Sequence, residues 1–579
     1  MKLKALIVGV ALLCGSPPTL LAAQASAAGT GLLDLLQQEL DYAMQNLAMP
    51  DGTKPYYLAY TVTDQQYVGV RATLGALQGD DEGHSRMLDV DVRVGDYDLD
   101  NTHKLRDAGR GFDLSEMLYS GASTLPLEAD ADAVKHTLWL ATDRAFKQAA
   151  KKYQRVLTNL KTKVEEEDKS GDFTHEDPAV FSEPEVHLSL NRATWADRLR
   201  RVSQVAREYP LIYRSSVTLS AQAHNRYMLT SEGTRLQTGQ KYFRVAVSAQ
   251  TKAEDGMELD QAYIFDAATE EHLPTEEAIT AALREVIDQV LALREAPLVE
   301  PYMGPAILRN RASGVFFHEI FGHRIEGHRQ KDVDEGQTFA KKVGEEILPA
   351  FISVHDDPTM AQFEGADLRG YYRYDDQGVP PSDVRLVEDG VLKTFLMCRS
   401  PLEDTPQSNG HGRREPGEDI VARQGNLIVD STKSVSFDQL RQLLLEECQR
   451  QGKEYGLLFE DISGGFTGTQ RRGPQSFKVL PIVVYRIYAD GRPDELVRGV
   501  DIVGTPLTSF SKITCTGNDP AVFNGTCGAE SGQVPVSAIS PSILVSQIEV
   551  EKRRREQDKP PILEPPIAEA SQGAAAVGR

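Results

Sequence analysis

The residues best suited to chemistry lie close together, in Val315-Phe316-Phe317-His318-Glu319-Ile320-Phe321-Gly322-His323-Arg324-Ile325-Glu326-Gly327-His328. Three of the chain's 12 histidines fall in this stretch. Two neutral imidazoles can hold Zn²⁺, and a carboxylate beside them can take a proton from a water polarised by the ion as it attacks a carbonyl. His318 and His323 are therefore candidate metal ligands and Glu319 a candidate base. Zinc-protease histidines usually stand four apart, about 40° around an α-helix, whereas these stand five apart, about 140°. The spacing predicts a helix with a π-type bulge over Ile320–His323, eased by Gly322. A helix with Phe316, Phe317, Ile320 and Phe321 on its apolar face and histidines as mere polar neighbours is the alternative.

His328 is a candidate third ligand or oxyanion donor, with a surface histidine after Gly327 as the plainer option. His411 and Arg413 sit in a loop rich in glycine and charge, where they could meet the scissile carbonyl or the peptide backbone, or simply form a turn. Asp375-Asp376 lacks an EF-hand context and reads as a hairpin turn. Gly464-Gly465 and Gly468 lack the lysine of a P-loop and read as turn glycines.

The elements that must position these groups follow from periodicity. Leu33, Leu36, Leu40, Met44 and Leu47 mark a helix, and Tyr56–Val62 and Leu88–Val94 alternate as strands do. A long helix is expected from about 132 to 166, with Trp139, Phe146, Tyr153 and Leu160 as a core-packing stripe. The charged run Val164–Lys169 marks a solvated helix end. Strands return over 211–230 and 242–251, and Thr275 caps a helix whose inward residues are Ile279, Leu283, Val286, Val290 and Leu293. Asp389-Gly390 joins a hairpin. Strand 479–488 and residues 495–500 form a second ribbon, and Ser436 with Gln439 opens a helix as a capping box. The expected division is a signal peptide over 1–28, an N-terminal α+β domain over 29–296, a C-terminal domain over 297–550 and a disordered tail over 551–579.

With 579 residues, 63 Lys+Arg and 85 Asp+Glu, the chain carries a net charge of -22 and has the length for more than one domain. That acidity argues against nucleic acid as a partner, since such binding rests on cation–phosphate contacts. Lys2, Lys4, the apolar run Ala5–Gly15 and the small residues at Ala23–Ala28 form a secretory signal, cleaved near Ala25–Ala28. The expected product is exported, periplasmic or secreted, and free of the membrane. Cys398, Cys448, Cys515 and Cys527 remain after that segment, so disulfides are possible, with Cys515 and Cys527 close enough in sequence to bridge.

The sequence is similar to the TldD/PmbA family of metallopeptidases. The resemblance rests on His318–His323 with Glu326-Gly327, on Tyr374–Gly378, Ser408–Arg413 and Gly499–Gly504, and on Gly525–Gly528 followed by Gly532–Val536. It is good over roughly 300–550 and loose in the N-terminal half, where Ser231-Glu232-Gly233-Thr234 carries it. It implies an α+β, two-domain architecture with mixed and antiparallel sheets and a helix bearing the metal motif. It further implies zinc held by His318, His323 and Cys527, with Glu319 as base. Extended or unfolded polypeptide is the implied substrate, cut with little side-chain selectivity. The family also implies a homo- or heterodimer with a related chain. A non-catalytic peptide-binding or partner subunit is the competing expectation, against which the intact Glu319 argues.

Overall fold

Alternating side chains build the first sheet. The computed structural model describes residues 31–104, 122–128, 130–161, 168–332, 334–471, 476–553, 559–563 and 566. The two predicted strands near its start extend into Pro55–Thr73 and Ala76–Val94. Leu74 and Gly75 join them, both with positive φ, the turn whose twist suits paired strands. Arg214–Thr230 pairs with Pro55–Thr73 and Arg235–Lys252 follows it, all antiparallel. Ser123–Thr124 closes one side, and Val180–Ser182 and Glu258–Ala267 both pair with Arg235–Lys252.

Period two then sorts this sheet's faces. Leu58, Tyr60, Val62, Val68, Val70 and Ala72 point one way, under helices Leu32–Asn46, Ala131–Leu160, Arg192–Gln204 and Glu276–Glu295. Thr275 caps the last of these by accepting from the Ala278 N–H, and its five expected inward residues are buried. The other face meets the C-terminal half. Asp89 accepts from the Gly417 N–H, Arg226 bonds Asp376, and Arg399 pairs both guanidinium ends with Glu232. Arg399 is 1% exposed and lies 3.8 Å from the Phe173 ring. Arg399→Ala leaves Glu232 the Tyr97 hydroxyl but no cation, so a loss of about 3–5 kcal/mol is expected in a denaturant titration.

The long helix corrects one expectation. Its buried stripe is Val134, Leu138, Ala141, Thr142, Phe146, Ala149, Ala150 and Val156, whereas Trp139 is 53% exposed beside His136. A seven-residue repeat drifts about 20° per heptad around a straight helix, so the end of such a stripe slides off the core. The helix is described as far as Leu160; residues 162–167 of the expected charged end lie outside the described residues, as does the expected signal peptide. Residues 554–558 and most of the expected tail also lie outside them, but a strand runs on to Lys552 where that tail was expected to begin.

In the C-terminal half, strands Tyr302–Leu308, Tyr455–Thr467, Phe477–Tyr488, Val500–Gly504 and Ile543–Lys552 close a ring. Closure occurs because Tyr302–Leu308 pairs with Tyr455–Thr467 in parallel and with Ile543–Lys552 antiparallel. A six-stranded sheet stands beside this barrel in the order Val391–Leu392, Val384–Glu388, Ile352–Asp356, Asn426–Ser431, Gly532–Ser540, Ala521–Ala529. The Asp389-Gly390 turn has positive φ at both residues, and both hydrogen bonds of the Ser436–Gln439 capping box are present. Glu495–Val497 pairs with Phe477–Tyr488, as the second ribbon requires. The class is thus mixed α and β with several sheets. Among the described residues no helix is long and apolar enough to cross a membrane.

Candidate metal centre

The helix Asn310–Ile320 carries His318 and Glu319 between the barrel strand Tyr455–Thr467 and the hairpin of Ala521–Ala529 with Gly532–Ser540. Its apolar residues hold it there. Phe316 meets Phe477 and Phe510 edge to face, and Phe317 stacks on Phe510. Gly314 allows close approach, since a Cβ there would lie 3.2 Å from the Ala538 carbonyl oxygen.

The expected π-type bulge is replaced by its opposite. The last i→i−4 bond runs from the Phe321 N–H to the Phe317 carbonyl, and Gly322–Arg324 then form a tighter 3₁₀ turn. Arg324 donates to the Glu319 and Ile320 carbonyls, which the ending helix leaves free. His323 thus projects from a turn, and the five-residue spacing need not fit helix geometry. Gly322 has a different purpose from the one expected: a Cβ there would fall 1.8 Å from the Gln424 side-chain oxygen. Gly322→Ala is expected to cost about 1–3 kcal/mol through overpacking and to displace His323. Denaturation alongside a zinc titration checks both effects.

The turn brings His323 to the hairpin. His323 Nε2 lies 3.3 Å from Cys527 Sγ, and the His318 and His323 ring centroids are 5.2 Å apart. One ligand atom from each of His318, His323 and Cys527 lies within 4.8 Å of the other two, and all three residues are buried. The Nδ1 of His318 is buried with no hydrogen-bond partner among the described residues. Two imidazoles and a thiol suit zinc, a borderline-soft ion that takes nitrogen and sulfur in a closed, small site. Electrostatics point the same way. Burial opposes charge on Cys527, yet His323 and His318 outweigh it and hold the thiol well below its usual range. Burial likewise opposes protonation of His323, but Cys527 and Glu326 raise it well above the ordinary imidazole value. Both shifts share one cause, the close approach of the Cys527 sulfur to the two imidazoles.

Glu319 is buried beside these candidate ligands. A Cβ on Gly465 would lie 2.8 Å from its Cγ, so only a glycine lets strand Tyr455–Thr467 pass so close. The strand bearing Cys527 pairs with Gly532–Ser540 on one side, and among the described strands no other pairs with it.

Other candidates lie elsewhere. His328 is outside the ligand group; its Nε2 is 2.6 Å from Glu530. His411 is wholly buried, with Nδ1 against Asn409 and Nε2 3.3 Å from Asp356, which itself accepts from the Gly425 and Asn426 N–H groups. Arg413 donates to the Gln424 carbonyl and lies over the Tyr372 ring. Both act on the loop that presses Gln424 against Gly322. Asp375 accepts from the Gln377, Val379 and Gly412 N–H groups and so closes a turn, but no paired strands flank it and the expected hairpin is absent among the described residues. Cys515 does not bridge to Cys527: all four described cysteines are free, and Cys515 sits with Cys448 in the core under helix Phe437–Gln451. Two residues missed as site components are Glu326 and Arg423. The first was visible only as part of a motif, and the second had no signal at all, lying in the link between strands Val421–Ala422 and Asn426–Ser431.

Residues 302–552 match the model of the PmbA/TldA metallopeptidase C-terminal domain. A metalloprotease of Archaeoglobus fulgidus is 30% identical over 239 residues, 41% of this chain and 51% of that protein. Over that region the chain is similar to the TldD/PmbA family. Within it, a zinc metalloprotease TldD homolog of Saccharolobus solfataricus is 24% identical over 279 residues, covering 46% of this chain and 57% of that one. The chain spans about half the length of these curated TldD/PmbA relatives. The solved structure of TldE from Thermococcus kodakarensis shares the fold over 89% of this chain and 100% of its own, with a TM-score of 0.60 and 14% identity.

Proposed function

We propose that this chain is an exported zinc-dependent peptidase that hydrolyses peptide bonds in extended or unfolded polypeptides. The observation that carries the proposal is the grouping of His318, His323 and Cys527 within 4.8 Å, with Glu319 next to His318 on the same helix. Bound there, zinc would supply a Lewis acid that polarises water and the scissile carbonyl. Glu319 then accepts the proton of the attacking water and delivers it to the leaving amide nitrogen. An extended substrate can add alongside the strand Ala521–Ala529, backbone to backbone, which suits low side-chain selectivity. A homo- or heterodimer with a related chain is the working assembly that the family resemblance implies. Export to a periplasm or beyond rests on the basic start and apolar run at the N-terminus. A non-catalytic subunit is the competing function, and the carboxylate of Glu319 speaks against it.

The test is cleavage of an unfolded polypeptide by the purified chain, with and without a chelator. Activity lost on chelation and restored by zinc supports the proposal; cleavage indifferent to the chelator sinks it. The pH dependence has a definite sign. Against burial, the two imidazoles lower Cys527, while Cys527 in turn raises both His318 and His323, so zinc has to displace imidazole protons. Zinc affinity is therefore expected to strengthen as pH rises and to weaken in acid, measurable by competition with a chelating dye.

A further inference from the structure

His323 turns one ring nitrogen toward Cys527 and the other toward a buried carboxylate. Its Nδ1 lies 3.6 Å from Glu326 Oε1, and Glu326 is completely buried. Arg329 holds the other oxygen, donating from Nε to Oε2 at 2.8 Å. Arg423 approaches Glu326 Oε1 with its Nε at 3.4 Å. The same guanidinium reaches past Glu326 to the hairpin, donating to the Cys527 carbonyl at 2.7 Å and to the Ser531 hydroxyl at 2.7 Å. One side chain therefore touches the carboxylate behind one candidate ligand and the backbone of another. Two atoms of this arrangement, Glu326 Oε1 and Arg423 Nε, are buried and lack a hydrogen bond of normal length. They face each other and the His323 Nδ1, so a small contraction would satisfy all three groups together.

We propose that Glu326 and Arg423 form an outer clamp that sets the orientation of His323 and its distance from Cys527, and thereby the affinity and geometry of the metal site. Neither residue touches substrate or ion; both are positioning residues. Glu326 orients the imidazole and raises its basicity as a ligand. Arg423 fixes Glu326 and at the same time ties the Cys527 strand to it. A carboxylate alone would orient the ring but leave the hairpin free to drift, and an arginine alone would leave the ring free to turn. The clamp rests on the reading of His318, His323 and Cys527 as zinc ligands, and the experiment separates the two.

The metal-free full chain is titrated with zinc against a chelating dye, and with Co²⁺ while the thiolate and d–d absorption bands are recorded. The wild type is compared with Glu326→Gln, Arg423→Lys and Glu335→Gln. Glu335 contacts Arg329 at 3.2 Å but is not a partner of His323, so it reports on the general charge network. Glu326→Gln and Arg423→Lys are expected to weaken zinc about 10–100-fold and to shift the cobalt bands, with Glu335→Gln unchanged. Wild-type affinity and spectra in both clamp variants would overturn the inference, as would an equal loss in Glu335→Gln. If circular dichroism shows that Glu326→Gln does not fold, Arg423→Lys decides, since it keeps the positive charge beside Glu326 while shortening the reach to Cys527. A wild type that binds no zinc overturns the metallopeptidase reading and the clamp with it; zinc binding by wild type and clamp variants alike overturns the clamp alone.

Discussion

Glu319→Gln is expected to lower kcat/KM for an unfolded polypeptide by about 10²–10⁴-fold while zinc content stays at the wild-type level. The substitution is nearly isosteric, so the packing against Gly465 survives. It removes only the ability to take up a proton. Glu319 is not one of the three grouped ligand residues, and the ion should therefore remain. The informative measurement is the pair of values, activity and zinc per chain, on the same preparation. Full activity in Glu319→Gln would remove this carboxylate from the chemistry. Lost activity together with lost zinc would assign it to the metal's surroundings instead.

Cys527→Ala is expected to abolish zinc binding and activity together. The pocket would keep two imidazoles but lose the anionic ligand, and the remaining donors cannot close a small site around the ion. The loss should exceed the 10–100-fold that an outer partner costs. Cys527→Ser is expected to recover little, because a serine hydroxyl ionises far less readily than a thiol, and, despite its burial, the neighbouring imidazoles lower this thiol further. Cys515→Ala serves as the comparison, since Cys515 is buried in another core and pairs with no cysteine. Zinc unchanged in Cys527→Ala would remove this thiol from the ligand set. Inactivity with zinc unchanged would point to some other function for it.

Much of the architecture was legible because it is local. The capping box of Ser436 and Gln439, the Asp389-Gly390 turn and the helix capped by Thr275 each depend on residues within a few positions. Period two, visible in Tyr56–Val62, extends to a sheet whose faces serve different partners, helices on one and the C-terminal half on the other. Where a local rule was extrapolated, it failed for a physical reason. The seven-residue stripe through Trp139 drifts off the core as the helix turns. The spacing of His318 and His323 suggested a widened helix because it assumed the helix continues. Burial of Phe321, the approach of Gln424 to Gly322 and the bonds from Arg324 instead stop the helix at Ile320 and tighten the next turn.

The candidate site divides along the same line. The types and order of His318, Glu319 and His323 are written in one short segment, and by themselves they offer two candidate metal ligands and a candidate base. That Cys527 stands 3.3 Å from His323 is decided by tertiary structure alone. The two residues are 204 positions apart, and they meet because a phenylalanine-rich helix is wedged between a closed barrel and the edge hairpin of a sheet. Arg423 joins them for the same reason. Short-range spacing can specify a turn or a pair of ligands. Only the burial of large apolar surfaces against one another can bring distant strands to a common point and hold a cysteine beside two histidines there.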